Sequence, residues 1–238
     1  EVLPEQLLVL PLRARPYFPA QTMPLVIDEG LWRDTVERVG NTPHKLVGLL
    51  YARHGTSDSV PAIEDFAAWG TVARVHHPMR EGGRIQFIAE GIERFRVARW
   101  VKQQPPFVAQ VEYPRVVPDK SKEVRAYALA IINKIKELLP LNPLYKESLK
   151  AFLDRFTPDD ASPLADFAAA MTSAEAEQLQ EVLEAVPILR RMEKVLLLIQ
   201  HELEVAGLQT EIRKRVEERI SEQQRKFFLR EQLKAIQQ

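Results

Sequence analysis

The first half of the chain is written in short apolar runs and the second in runs at helical spacing. Segments rich in Val, Ile, Leu and aromatics, bounded by Pro, Gly and Asp, predict strands. They cover Leu7–Leu12, Met23–Ile27, Leu46–Tyr51, Trp69–His76, Arg84–Glu90, Ile92–Val101 and Phe107–Tyr113. Gly82-Gly83 suits a tight hairpin between two of them, because both glycines accept positive φ at little steric cost. Gly91 parts two alternating runs and predicts a bend or bulge. One helix is expected around Leu31–Val39, with Asp28 as its N-cap and Gly40 as its stop. A curled, mostly antiparallel sheet or partial barrel is the natural closure for so many short strands.

After Pro118 the period changes. Val124, Ala128, Ile131, Ile135, Leu138 and Leu139 follow helical spacing, with Asp119 or Ser121 as cap and Pro140 as terminator. Shorter helices are expected around Leu144–Phe156, Pro163–Met171 and Ala174–Val186, with Ser173 as a cap for the last. From Pro187 to Gln238 the pattern predicts one long helix, interrupted only by Gly207. At about 1.5 Å per residue it would form a rod on the order of 75 Å, too long to pack along its whole length. Leu189, Met192, Leu196, Ile199 and Leu203 should dock on the preceding helices. Beyond Gly207 only a thin seam of Ile212, Val216 and Ile220 continues, before Phe227, Phe228, Leu229, Leu233 and Ile236 cluster. The fold class expected is α+β, in three parts: a β-rich domain at 1–116, a helical bundle at 117–206 and a helical arm at 207–238.

Composition narrows the function. The 238 residues are 45% hydrophobic and 28% charged, with 33 basic and 33 acidic side chains. That balance gives no global pull toward nucleic acid or anionic membrane. There are no cysteines, which excludes disulfides, thiol catalysis and Cys-containing zinc sites and fits a cytoplasmic setting. The most strongly apolar run, Val195–Ile199, is far short of a membrane span, and Glu1–Gln6 lacks the pattern of a secretory signal. No membrane partner is expected. The Glu1 start and the uncapped end at Gln238 suggest a piece of a longer protein.

No catalytic constellation emerges. A phosphate loop needs its glycines opening a helix, whereas Gly82-Gly83 is followed by Arg84-Ile85 on a predicted strand. Ser121-Lys122 and Ser148-Leu149-Lys150 read as solvated helix rather than a Ser–Lys dyad. His76-His77, adjacent at a strand end, should point to opposite faces and not chelate one ion. His44, His54 and His201 have no ligand companions at metal spacing. Asp159-Asp160 reads as a helix cap. Catalytic residues, metal ligands and cofactor ligands are therefore all expected to be none.

Three stretches carry a family resemblance. Glu222-Gln223-Gln224-Arg225-Lys226-Phe227-Phe228-Leu229-Arg230-Glu231-Gln232-Leu233-Lys234-Ala235-Ile236-Gln237 closely resembles the segment before the ATPase module of bacterial Lon proteases. Leu8-Val9-Leu10-Pro11-Leu12-Arg13 with Phe18-Pro19 is similar to the opening strand and loop of that family. Gly91-Ile92-Glu93-Arg94-Phe95 is similar to the Gly-x-x-Arg hairpin of its substrate-binding domain. Ala14-Arg15-Pro16-Tyr17 departs from the more apolar stretch common there.

The resemblance implies a PUA-like β-rich pseudo-barrel, a helical bundle and a long helix leading to a AAA+ ATPase. It implies a cytoplasmic homohexameric ATP-dependent serine endopeptidase, with ATP, Mg and the Ser–Lys chemistry outside this chain. Its partners would be unfolded, damaged or regulatory proteins. For substrate contact the candidates are Tyr17, Phe18 and Met23, near the Pro-rich loop, as an exposed sticky patch. For contact between subunits or domains they are Ile212, Val216, Ile220, Phe227, Phe228, Leu229 and Leu233, as a lever or coiled-coil arm. The alternatives are a stand-alone adaptor and a nucleic-acid binder using Arg213-Lys214-Arg215 with Arg219, Arg225, Lys226 and Arg230. Interleaved acids weaken that basic track.

Overall fold

The computed structural model describes residues 2–141 and 146–237. Six strands and six helices run in the order β1 (Gln6–Leu12), β2 (Thr22–Asp28), α1 (Glu29–Gly40), β3 (Leu46–Tyr51), β4 (Trp69–Glu81), β5 (Arg84–Lys102), β6 (Phe107–Glu112), α2 (Lys122–Leu138), α3 (Lys146–Arg155), α4 (Ala161–Met171), α5 (Ala176–Glu184) and α6 (Ile188–Ile236). The part of the third predicted helix around Leu144 lies outside the described residues.

The sheet order is β2-β5-β4-β3-β1-β6, and β5 also pairs with β6. Five strands thereby close a ring. It closes because β5 spans 19 residues, enough to pair β2 with its first half and β6 with its last. All pairs are antiparallel except β1 with β3. Among the described residues only β5 pairs with β2, which remains an edge strand outside the ring. Glu81 and Arg84 face each other across Gly82-Gly83, whose φ values of 59° and 78° make the expected two-residue turn.

The alternation of each strand buries one face. Val9, Val47, Leu49, Val72, Phe87, Phe95 and Phe107 fill the ring, and α1 adds Trp32, Val36 and Val39. Asp28 caps α1, accepting from Leu31 N at 2.9 Å. A second core gathers Ile131, Ile135, Leu164, Leu183, Met192 and Ile199 from the helices. Phe18, from the β half, is fully buried in that second core. Ser121 rather than Asp119 caps α2, which settles its place as a helix signal.

Three local expectations need correction. The Gly-x-x-Arg motif is not a hairpin: β5 runs straight through it, with Ile92 left over as a bulge between Gly91 and Glu93. Gly91 is required by close approach, since a Cβ there would sit 2.4 Å from Phe18 O. The cap of α5 is Glu175, which exchanges side-chain bonds with Gln178 in a capping box, not Ser173. Strand β4 does not end at His76 but continues to Glu81 past a second bulge, where His77 takes φ +50°. That turn brings the two imidazoles to 6.4 Å instead of opposite faces, and His76 Nε2 pairs with Glu90 at 2.8 Å.

Candidate functional site

The β2–β5–β4 wing has an apolar outer face. Cross-strand registers place Pro24 opposite Ile88, Val26 opposite Gln86, and Gln86 opposite Met79. Directly paired residues share a face, so Pro24, Val26, Ile88 and Met79 lie together. Val26, Ile88 and Met79 are 54%, 38% and 62% exposed, and Pro24 is exposed too. Gln86 lies between Val26 and Met79, and Thr22, His76 and Glu90 border the group, so the exposed apolar side chains surround one central amide.

Beside this face a groove of about 480 Å³ runs between the β2 edge and residues 11–17. Pro11, Leu12, Pro16, Met23, Leu25 and Trp32 line it, with Arg13, Arg84 and Asp58 among the charged groups. Val75 N bonds Lys45 O on the β3 side, so β5 presents Ala89 toward β2. The opposite groups, on Pro24 and Val26, face the groove. Pro24 has no N–H to offer there, which blunts the edge against strand addition.

The proposed contacts at Tyr17, Phe18 and Met23 separate. Met23 is half exposed and lines the groove. Tyr17 is 3% exposed; its hydroxyl donates to Ala89 O at 2.6 Å and accepts from Met23 N at 3.0 Å. Burial pushes its phenol up to about 12, with the Met23 N–H pulling the other way. Phe18 is wholly buried. Tyr17 and Phe18 therefore form no exposed patch: a strand-side hydroxyl bridge holds one and the helical core holds the other.

The arm residues are all at the surface. Ile212, Val216, Ile220, Phe227, Phe228, Leu229 and Leu233 are each at least half exposed, as are Leu208 and Ile236. From Leu208 onward every described residue of α6 is exposed. The docked part of α6 buries Met192, Val195 and Ile199 as a helical stripe, with Leu189, Leu196 and Leu203 partly covered.

A buried ion cluster was missed by sequence reasoning. Arg94 of β5 forks onto Asp166 of α4, through Nη1 to Oδ2 at 2.6 Å and through Nη2 to Oδ1, while its Nε donates to Leu183 O at 2.8 Å. Arg191, in the first turns of α6, lies 3.5 Å from the same carboxylate. It donates to Ser162 Oγ at 2.6 Å and to Ala185 O and Val186 O, both at 2.9 Å. All three side chains are at most 2% exposed. Burial pulls Arg191 down to about 10, partly offset by Asp166, which leaves it charged at neutral pH. The available signal was Arg94 within the Gly-x-x-Arg motif and an arginine inside an otherwise apolar docking stripe.

The polar pairs named earlier take structural places. Asp160 binds Thr157 N and Oγ1 at 3.0 and 3.1 Å ahead of α4, and Asp159 pairs with Arg125 at 3.0 Å. Ser121 is occupied as a cap. Among the described residues no group of three His, Asp or Glu is placed to hold a metal ion, and no helix is long and apolar enough to cross a membrane.

A family model for the ATP-dependent protease La (LON) substrate-binding domain matches residues 6–201. The chain is 46% identical over 235 residues to Lon protease 2 of Hydrogenovibrio crunogenus, covering 98% of this chain and 27% of that one. It is 40% identical to Lon protease 1 of Syntrophotalea carbinolica, covering 99% of this chain and 29% of that one. The chain thus spans under a third of the length of these relatives. Two solved structures share the fold. The N-terminal domain of Mycobacterium avium complex Lon protease has a TM-score of 0.61 at 18% identity, over 82% of this chain and 98% of its own. A Lon N-terminal domain protein from Xanthomonas campestris has a TM-score of 0.54 at 20% identity, over 80% and 96%. By the family match and the relatives together, this chain belongs to the substrate-binding domain family of the ATP-dependent Lon proteases.

Proposed function

We propose that this chain captures non-native polypeptide on the outer face of the β2–β5–β4 wing, and that α6 links the captured chain to a hexameric protease ring. The observation that carries the reading is the group of exposed apolar side chains Pro24, Val26, Ile88 and Met79 around Gln86, with Met23 at the adjoining groove. Unfolded clients share exposed apolar side chains rather than one sequence. A flat face containing flexible methionines suits them, because such side chains repack around different partners. Tyr17 acts behind this face by fixing the backbone of Met23.

In this reading the exposed arm side chains Ile212, Val216, Ile220, Phe227, Phe228, Leu229 and Leu233 contact neighbouring subunits or modules. ATP, Mg and serine-protease chemistry belong to parts of the full-length protein outside this chain, which works in the cytoplasm.

The test is a titration of the protein into a labelled, permanently unfolded polypeptide, followed by anisotropy, with the folded form as control. Replacing Val26, Ile88 and Met79 together by serine should weaken binding about tenfold to a hundredfold, equivalent to about 1.4–2.8 kcal/mol. The thermal midpoint should fall only modestly, since Val26 and Met79 are more than half exposed and only Ile88, at 38%, is largely covered. Binding should also tolerate salt, because apolar contact releases no counterions. Undiminished binding by the triple variant sinks this face as the capture site.

A further inference from the structure

We propose that the Arg94–Asp166–Arg191 cluster is a shoulder joint that fixes the direction of α6 relative to the β half, with Asp166 as its positioning residue. Four elements meet there: β5 through Arg94, α4 through Asp166 and Ser162, the end of α5 through three carbonyls, and α6 through Arg191. Both guanidiniums take carbonyls at the C-terminus of α5, where the negative pole of that helix lies. Two positive charges are thus held by one carboxylate and one helix end. Glu93 adds attraction from beside Arg94, whose N–H it accepts at 2.8 Å.

No member can move without stranding another in a dry site, so the cluster admits one arrangement. Apolar side chains of similar volume would fill the same space and tolerate several. The bulge at Ile92, two residues before Arg94, is the kind of feature that re-aims a strand side chain. The length of α6 makes the angle consequential. Arg191 lies near its start, and some 45 residues follow to Ile236, about 68 Å at helical rise. A rotation of a single degree at the cluster moves the far end by about 1 Å over that length. The exposed pair Arg53–Glu177 also crosses between the halves, but at the surface, where it constrains little.

The chain has no cysteine, so two can be introduced and spin-labelled cleanly. Lys102→Cys on β5 and Gln209→Cys on α6 are exposed positions on either side of the joint. Pulsed EPR should give one narrow distance distribution in the otherwise native protein and in a Glu177→Ala control. Asp166→Asn should broaden or shift it by several ångströms while circular dichroism keeps its helical signal. Should Asp166→Asn not fold, the filled variant Arg94→Met, Asp166→Leu, Arg191→Met keeps the volume, and the same broadening is expected at an unchanged melting midpoint. A folded variant with the native distribution overturns the proposal. So does failure of both variants to fold, which would make the cluster a requirement of folding rather than of direction.

Discussion

Tyr17 shows how one hydroxyl ties three segments together. It bridges Met23 N and Ala89 O, and the Tyr17 carbonyl accepts from Thr71 Oγ1 at 2.5 Å. Tyr17→Phe should cost about 1–3 kcal/mol, because it leaves buried partners unsatisfied; urea denaturation measures it. The same residue sets an alkaline limit. Its folded pKa, about 12, lies above the usual 10, so the unfolded chain ionises first. Its contribution is intact below pH 10 and fades as pH rises from 10 toward 12. Tyr113 shifts in the same direction, mainly by burial, so Tyr17→Phe should shrink the alkaline loss without abolishing it. Gly91→Ala should be more damaging, since its Cβ would meet backbone, Phe18 O, which has no flexible end to swing away. A melting midpoint unmoved by Gly91→Ala would contradict the close approach.

Among elements, the ones that announce themselves by period were legible and those set by tertiary geometry were not. Strand β3 matches its predicted bounds at both ends, Leu46 and Tyr51, because an apolar run starts sharply after Lys45 and gives way to Arg53 and His54 one residue past Tyr51. The end of β4 was missed because a bulge at His77-Pro78 breaks the alternation while pairing resumes at Met79. That extension carries Met79 into the apolar face, so the wing could not be foreseen from the strand list. Alternation also could not show that Tyr17 and Phe18 face inward, since they lie in a connection with no period. Arg94 and Arg191 were hidden for a related reason: a charged residue in a stripe reads as solvated until its partner, 72 residues away in sequence for Arg94, is seen beside it. In α6, Gly207 has no atom within 4 Å of where a Cβ would lie. Gly207→Ala should therefore stabilise the arm locally by about 0.5–1 kcal/mol, seen as slower amide exchange around it. Faster exchange would mean that the arm needs this glycine as a hinge.

At the scale of the molecule, a closed β ring and a helical core are fastened by Phe18, the buried ion cluster and the Gln180 bond to Trp69 O at 3.0 Å. The arm then projects as roughly 40 Å of solvated helix beyond Leu208. Leu208, Ile212, Val216 and Ile220 recur every four residues, a ridge and not the three–four alternation of a heptad seam. Two such ridges interdigitate at a steep crossing with a short contact, so self-association of the chain should be weak. Sedimentation should show it rising with concentration and disappearing on replacement of Ile212, Val216 and Ile220 by serine. An unaltered profile in that variant would place the contact elsewhere.

The central claim, capture of non-native polypeptide by the β wing, is tested most directly by hydrogen–deuterium exchange of the protein with and without a saturating unfolded chain. Slowed exchange should be concentrated in residues 22–28 and 76–90, with the arm beyond residue 208 unchanged. Saturated binding that leaves the wing unprotected, or protects only the arm, would contradict it.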